Sequence, residues 1–185
     1  MYLAVRSVFL CLNVERRLKL GFYFNKLKVL FVISALIFFI GVGFGVFSVL
    51  TTPLEGNLIQ NQYKSGWSHS FGIFKNNLTI CLGLVLGIFT FGIPTFFLLL
   101  INGISIGAGL TAIILLDPSF STILTKVLPH GIFEISIFLF SGAVGFLGFS
   151  FYFRKEKPYK QILKYICIII IMVFISALIE GFIST

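Results

Sequence analysis

Residues 29–50, 78–101, 132–153 and 165–183 form four nearly unbroken apolar runs. Each is close to or above the ~20 residues that a helix needs to cross a bilayer. The first two runs hold no formal charge, and the last two hold one each, Glu134 and Glu180. A fifth apolar segment, 104–116, is short and stops at Asp117-Pro118; its periodicity alone does not say whether it crosses. The longest polar connection is 51–77, with Trp67 and His69 placed near a membrane interface. Outside the runs no stretch is long enough to bury a core of its own. The pattern predicts an all-α, polytopic membrane helix bundle with about five transmembrane helices. It divides the chain into an N-terminal segment, 1–28, and a transmembrane domain, 29–185.

Composition supports lipid as the main solvent. Of the 185 residues 58% are hydrophobic and 11% charged, whereas a water-soluble domain carries roughly a quarter charged residues. The net charge of +8 could suggest nucleic acid, but the cations lie in short runs beside apolar segments. They read as topology signals and contacts for anionic headgroups. Six precede the first run (Arg6, Arg16, Arg17, Lys19, Lys26, Lys28), and five lie between the last two (Arg154, Lys155, Lys157, Lys160, Lys164). Both groups belong on the cytoplasmic side. An even number of crossings must then separate them, which requires 104–116 to cross. Five crossings place eleven of the fourteen cations inside, leaving Lys64, Lys75 and Lys126 outside. The expectation is a multi-pass protein of the cell membrane, N-terminus cytoplasmic and C-terminus outside. Residues 1–28 read as an amphipathic helix on the inner surface, since Glu15-Arg16-Arg17 interrupts any signal-peptide core. The scattered Cys11, Cys81 and Cys167 give neither a disulfide framework nor metal-ligand spacing and read as packing residues.

Lipid offers no hydrophobic drive for one helix to find another, so close contacts rest on small residues and interhelical hydrogen bonds. In the run 78–101, Gly83, Gly87, Thr90 and Pro94 fall on one face of a helical wheel. Gly103 and Gly107 have GxxxG spacing, and Ser141, Gly145 and Gly148 share a face with His130 and Glu134. Ser176 and Glu180 are one turn apart. Gly41, Gly43 and Gly45 alternate and form no single stripe.

Five polar residues stand out: Asn77, Asn102, His130, Glu134 and Glu180. An ionisable side chain inside a span costs about 2.5–3.5 kcal/mol on insertion scales, so it should face the bundle interior or water. The topology puts Asn77, His130, Glu134 and Glu180 on the outer half of the membrane. His130 and Glu134, at i and i+4, share a helix face. Pro129 suits a first helical turn. Asn102-Gly103 falls on the inner side, as a turn between two crossings. Each residue also has a plain structural reading. Glu134 can pair with His130 or sit at its helix terminus, Glu180 can reach interfacial water, and Asn77 can cap a helix.

At Pro129-His130-Gly131-Ile132-Phe133-Glu134 the sequence resembles the stage II sporulation protein M family of membrane proteins. Phe74 with Asn76-Asn77, Asn102-Gly103, and Ile179-Glu180-Gly181-Phe182-Ile183-Ser184-Thr185 agree in order, over roughly residues 70–185. The resemblance implies a multi-span membrane protein, usually without a demonstrated activity. Sporulation members join a membrane complex with peptidoglycan-degrading partners, others accompany circular-bacteriocin export, and others occur in archaea, which do not sporulate. The Pro-His-Gly motif belongs to the broad family more than to its sporulation branch, so no sporulation role is implied.

Three functions compete. The first is a non-enzymatic scaffold or partner-binding component of an envelope or export assembly; the sequence holds no GxxxxGK[ST] phosphate loop. The second is a small transporter or proton-coupled conduit using Glu134 and Glu180, though no inverted repeat is visible. The third is an intramembrane hydrolase with Glu134 as general base or with His130, Glu134 and Glu180 on a metal, but neither HExxH nor GxSxG occurs. The first is favoured. No catalytic residue, metal or cofactor is assigned. The expected partners are the lipid bilayer, other membrane or envelope proteins and a homo-oligomeric copy, with no nucleic acid.

Overall fold

A computed structural model describes residues 2–52, 67–116, 128–153, 157 and 159–183. The chain folds into α1 (Tyr2–Thr51), α2 (Trp67–Leu86), α3 (Ile93–Leu116), α4 (Leu128–Phe146), the short α5 (Gly148–Tyr152) and α6 (Tyr159–Ile183). Among the described residues there is no strand. Five helical stretches are long and apolar enough to cross a membrane: Lys26–Thr51, Ser70–Phe89, Ile93–Leu115, Gly131–Tyr152 and Tyr159–Glu180. In hydrocarbon a backbone group finds no water, and a helix satisfies its own N–H and C=O groups within each segment.

The helices pack around α4. The most apolar part of the crossing Gly131–Tyr152 is 59% buried among the other helices, against 33% or less for the same part of each of the others. It touches α1, α2, α3 and α6. Its inner face supplies Ile137, Phe138, Leu139, Ala143 and Val144 to the core.

Two boundaries differ from those read in the sequence. The run 78–101 is not one crossing. After Leu86 the chain tightens into a 3-10 turn, Gly87–Phe89, and then reverses. Phe91 and Gly92 have positive φ, +53° and +81°, and the Gly92 N–H closes the turn on the Gly87 carbonyl at 2.8 Å, as helix C-termini with left-handed glycines do. Pro94 then sits in the first turn of α3, where its missing N–H costs nothing. The short segment 104–116 is therefore the second half of a full crossing, Ile93–Leu115. Thr90 and Pro94 lie beyond the end of α2 and do not continue the face of Gly83 and Gly87. Thr95 Oγ1 donates to the Leu84 carbonyl at 2.7 Å in a buried contact, fastening α3 to α2 across the turn.

Asn102-Gly103 consequently lies well inside α3 and makes no turn. The Asn102 amide donates to the Leu98 carbonyl one turn back, at 2.7 Å. At the other end of the chain, α1 runs without a helical break from Tyr2 to Thr51, so residue 28 marks no change of backbone. The side chains of 1–25, including any amphipathic face, lie outside the described residues.

Small residues let three pairs of elements approach. Gly41 and Gly45, four apart on α1, meet the backbone of α3, whereas Gly43 between them faces open space. A Cβ at Gly41 would overlap the Leu100 carbonyl, and one at Gly45 the Ile104 carbonyl. Gly103 and Gly107 stand against the Phe38 and Val42 carbonyls of α1 in return. Alternation hid this stripe in the sequence: two of the three glycines do form a GxxxG pair. On α4, Gly145 packs against the Leu84 carbonyl and Thr95, and Ser141 is fully buried. A Cβ at Gly148 would lie 2.6 and 2.7 Å from the Gly87 and Ile88 carbonyls, so the start of α5 sits on the turn after α2. Gly87 itself meets Thr95, and Gly83 meets only the flexible Leu98 side chain.

Candidate functional site

One end of the bundle gathers polar side chains from three helices. Asn77 lies in α2, on the tenth residue after Trp67, and its side chain is 7% exposed. Glu134 lies in the second turn of α4, and Glu180 near the end of α6. Helices α2 and α4 run away from this end and α6 runs towards it, so residues far apart in the chain reach one level. Around them Trp67 packs edge-on against Phe182 with ring centroids 5.1 Å apart, and Phe74 against Phe174 at 5.7 Å. These contacts hold α2 on α6 beside the polar groups.

The hydrogen bonds form a chain. Asn76 donates from Nδ2 to Asn77 Oδ1 at 3.4 Å, and Asn77 donates from its own Nδ2 to Glu134 Oε1. Glu134 in turn comes within side-chain hydrogen-bonding reach of Glu180. Carboxylates only accept, so a hydrogen bond between two carboxyl groups requires a proton on one of them. The arrangement can therefore hold a proton between α4 and α6, steadied by an amide from α2.

Below this level the interface stays polar. Cys81, one turn from Asn77 and fully buried, faces the Ser141 hydroxyl and lies within electrostatic reach of Glu134. A thiol is a weak partner, and Ser141 Oγ makes no conventional hydrogen bond. Ser176, 1% exposed and one turn from Glu180, and Glu180 Oε2 itself are likewise buried without a partner within the protein. A buried polar atom left unsatisfied costs about 1–3 kcal/mol.

The polar residues singled out in the sequence thus separate. Asn77, Glu134 and Glu180 meet. Asn102 does not join them; it stands on α3, the helix that packs on α1. The backbone of His130 is in the first turn of α4, one turn before Glu134, and its side chain, like that of His69, lies outside the described residues. Among the described residues no three His, Cys, Asp or Glu side chains gather as a metal site. Sequence reasoning took Cys81 for a packing residue, and its spacing of four from Asn77 was the signal that it shares their face. Thr95 had no such signal, because its partner is a backbone carbonyl brought near by the turn.

The arrangement can be set beside known proteins. The family model of stage II sporulation protein M matches residues 34–185, a segment that contains Asn77, Glu134 and Glu180. An uncharacterized protein of Methanocaldococcus jannaschii is 32% identical over 169 residues, which cover 85% of this chain and 95% of the relative. No solved structure matches the chain. Five apolar crossings, and a family model that covers all of them but the first few residues, make this chain a multi-pass membrane protein of the stage II sporulation protein M family.

Proposed function

We propose that the protein is a non-enzymatic membrane component, a scaffold or partner-binding subunit of an envelope or export assembly, whose polar cluster locks one end of the bundle into shape. The observation that carries this reading is that Asn77 hydrogen-bonds Glu134, and Glu134 comes within reach of Glu180, across α2, α4 and α6. Side chains engaged in this way hold helices in register, and a partner would meet the rigid surface they create. The distribution of Lys and Arg supports placing this end outside, with the N-terminus in the cytoplasm. The partners we assign are lipid, other membrane or envelope proteins, and a further copy of the chain.

The conduit reading has one observation in its favour, the carboxyl pair itself. Proteoliposomes loaded with a pH-sensitive dye separate the two. A locked scaffold leaves proton flux at the level of empty vesicles, and Glu134→Gln changes nothing. Flux above that level, abolished by Glu134→Gln, would replace the scaffold with a proton path. In the host membrane, partner recovery after cross-linking should survive Glu134→Gln and fall with Glu134→Ala in step with loss of the fold.

A further inference from the structure

We propose that the interface of α2, α4 and α6 holds internal water, entered from the Glu134–Glu180 end, which binds Ser176 Oγ and Glu180 Oε2 and opens the proton between the carboxyl groups to exchange. This inference concerns the interior of the bundle and stands whether or not the protein is a scaffold.

The hydroxyls of this chain show what is unusual. A serine or threonine in a membrane helix normally turns its hydroxyl back to the carbonyl four residues earlier. Ser34 does so to Leu30 at 2.9 Å, Thr79 to Lys75 at 2.8 Å, Thr111 to Gly107 at 2.8 Å and Ser136 to Ile132 at 2.7 Å. Ser176 and Ser141, buried at 1% and 0% exposure, do not. Neither oxygen has a hydrogen-bond partner within the protein. Dispersion alone gives no reason for this, since a buried hydroxyl gains nothing by forgoing a hydrogen bond that its own helix offers.

Spacing supplies the reason. Ser176 and Glu180 stand at i and i+4 on one face of α6, so their side chains are about 5–6 Å apart at the base. Two hydrogen bonds of about 2.8 Å through a single water span that gap. Water can donate to the carboxyl oxygen and accept from the hydroxyl, which satisfies both with one molecule. Buried waters in proteins characteristically join polar groups that have no other partner. Glu180 Oε2 also belongs to the group that bonds Glu134, so the same water touches the carboxyl pair. Ser141, deeper along α4 and facing only a thiol, marks how far hydration can extend.

Infrared spectroscopy of the unaltered protein in bilayers tests this directly. A protonated carboxyl group gives a carbonyl stretch separate from the amide bands, and Glu134→Gln or Glu180→Gln should each remove it. On transfer to D2O the band of the unaltered protein should shift at once, because water reaches the pair. A band that stays unshifted for hours, or no carboxylic band at neutral pH, overturns the proposal. A second readout uses thiol chemistry in a background with Cys11, Cys81 and Cys167 replaced by serine. Thiolate forms only where water reaches, so Ser176→Cys should react with a small hydrophilic methanethiosulfonate on the order of tenfold faster than Val173→Cys. Val173 is equally buried, on the same helix and apolar. Equal rates at the two positions overturn the proposal as surely as an unshifted band.

Discussion

The Asn77 amide gives a half-buried carboxyl group between the helices a hydrogen-bond donor. Its Nδ2 meets Glu134 Oε1, and Glu134 also comes within reach of Glu180. A glutamine at 134 can repeat both contacts, accepting from Asn77 through its oxygen and donating to Glu180 through its amide. Glu134→Gln should therefore change stability by less than about 1 kcal/mol. Glu134→Ala orphans Asn77 and Glu180 together, at about 1–3 kcal/mol for each group left unsatisfied. Thermal unfolding in detergent micelles compares the two. Asn77→Ala with Glu134→Ala should cost less than the sum of the single changes, by about 0.5–3 kcal/mol, since the second removes a partner already lost. Additive costs would show that the two side chains act separately. These residues were legible because a polar group in an apolar run must be accounted for. Asn102 looked the same by that criterion. What composition could not show is that its amide donates to Leu98, within its own helix.

At the scale of elements, the contact between α1 and α3 decides between two opposing effects. Alanine is better than glycine within a helix by about 1 kcal/mol. At Gly45 and Gly107, however, a methyl group would overlap the carbonyl oxygens of Ile104 and Val42, which are backbone atoms and cannot rotate away. Gly45→Ala and Gly107→Ala should each loosen α1 from α3 and lower the unfolding temperature. Gly43→Ala, facing open space, should leave it equal or slightly raised. A uniform response at all three positions would mean that the glycines matter only for helix propensity. The reversal between α2 and α3 is a second point of sensitivity. Gly92 has φ of +81° and stands against the Phe146 ring, so Gly92→Ala is expected to cost about 1–2 kcal/mol from the backbone alone, measured in the same unfolding assay. The turn was not legible because glycine is common in membrane helices and no charged residue interrupts 78–101. Gly87 and Pro94 read as a packing face when they are in fact the two sides of a corner.

For the whole molecule, hydropathy gave the number of crossings and topology corrected where one ends. Charge balance asked for a crossing at 104–116, and the structure supplies it by moving the boundary between two helices to Gly87–Gly92. An odd number of crossings predicts termini on opposite sides. Reporters fused to each end, one active only outside and one fluorescent only inside, should place the N-terminus inside and the C-terminus outside. The reverse pattern would mean that the clusters around Lys26 and Lys157 do not set the orientation. The linkage of α2, α4 and α6 also has a meaning in time. The ribosome delivers α2 and α4 to the membrane before α6, so Glu134 enters the bilayer with Asn77 at hand and Glu180 still to come. Until that helix is threaded in, the nascent chain carries a carboxyl group whose contacts are only half made. The contact of the three helices is therefore the last to be completed, because it waits for the final helix of the chain.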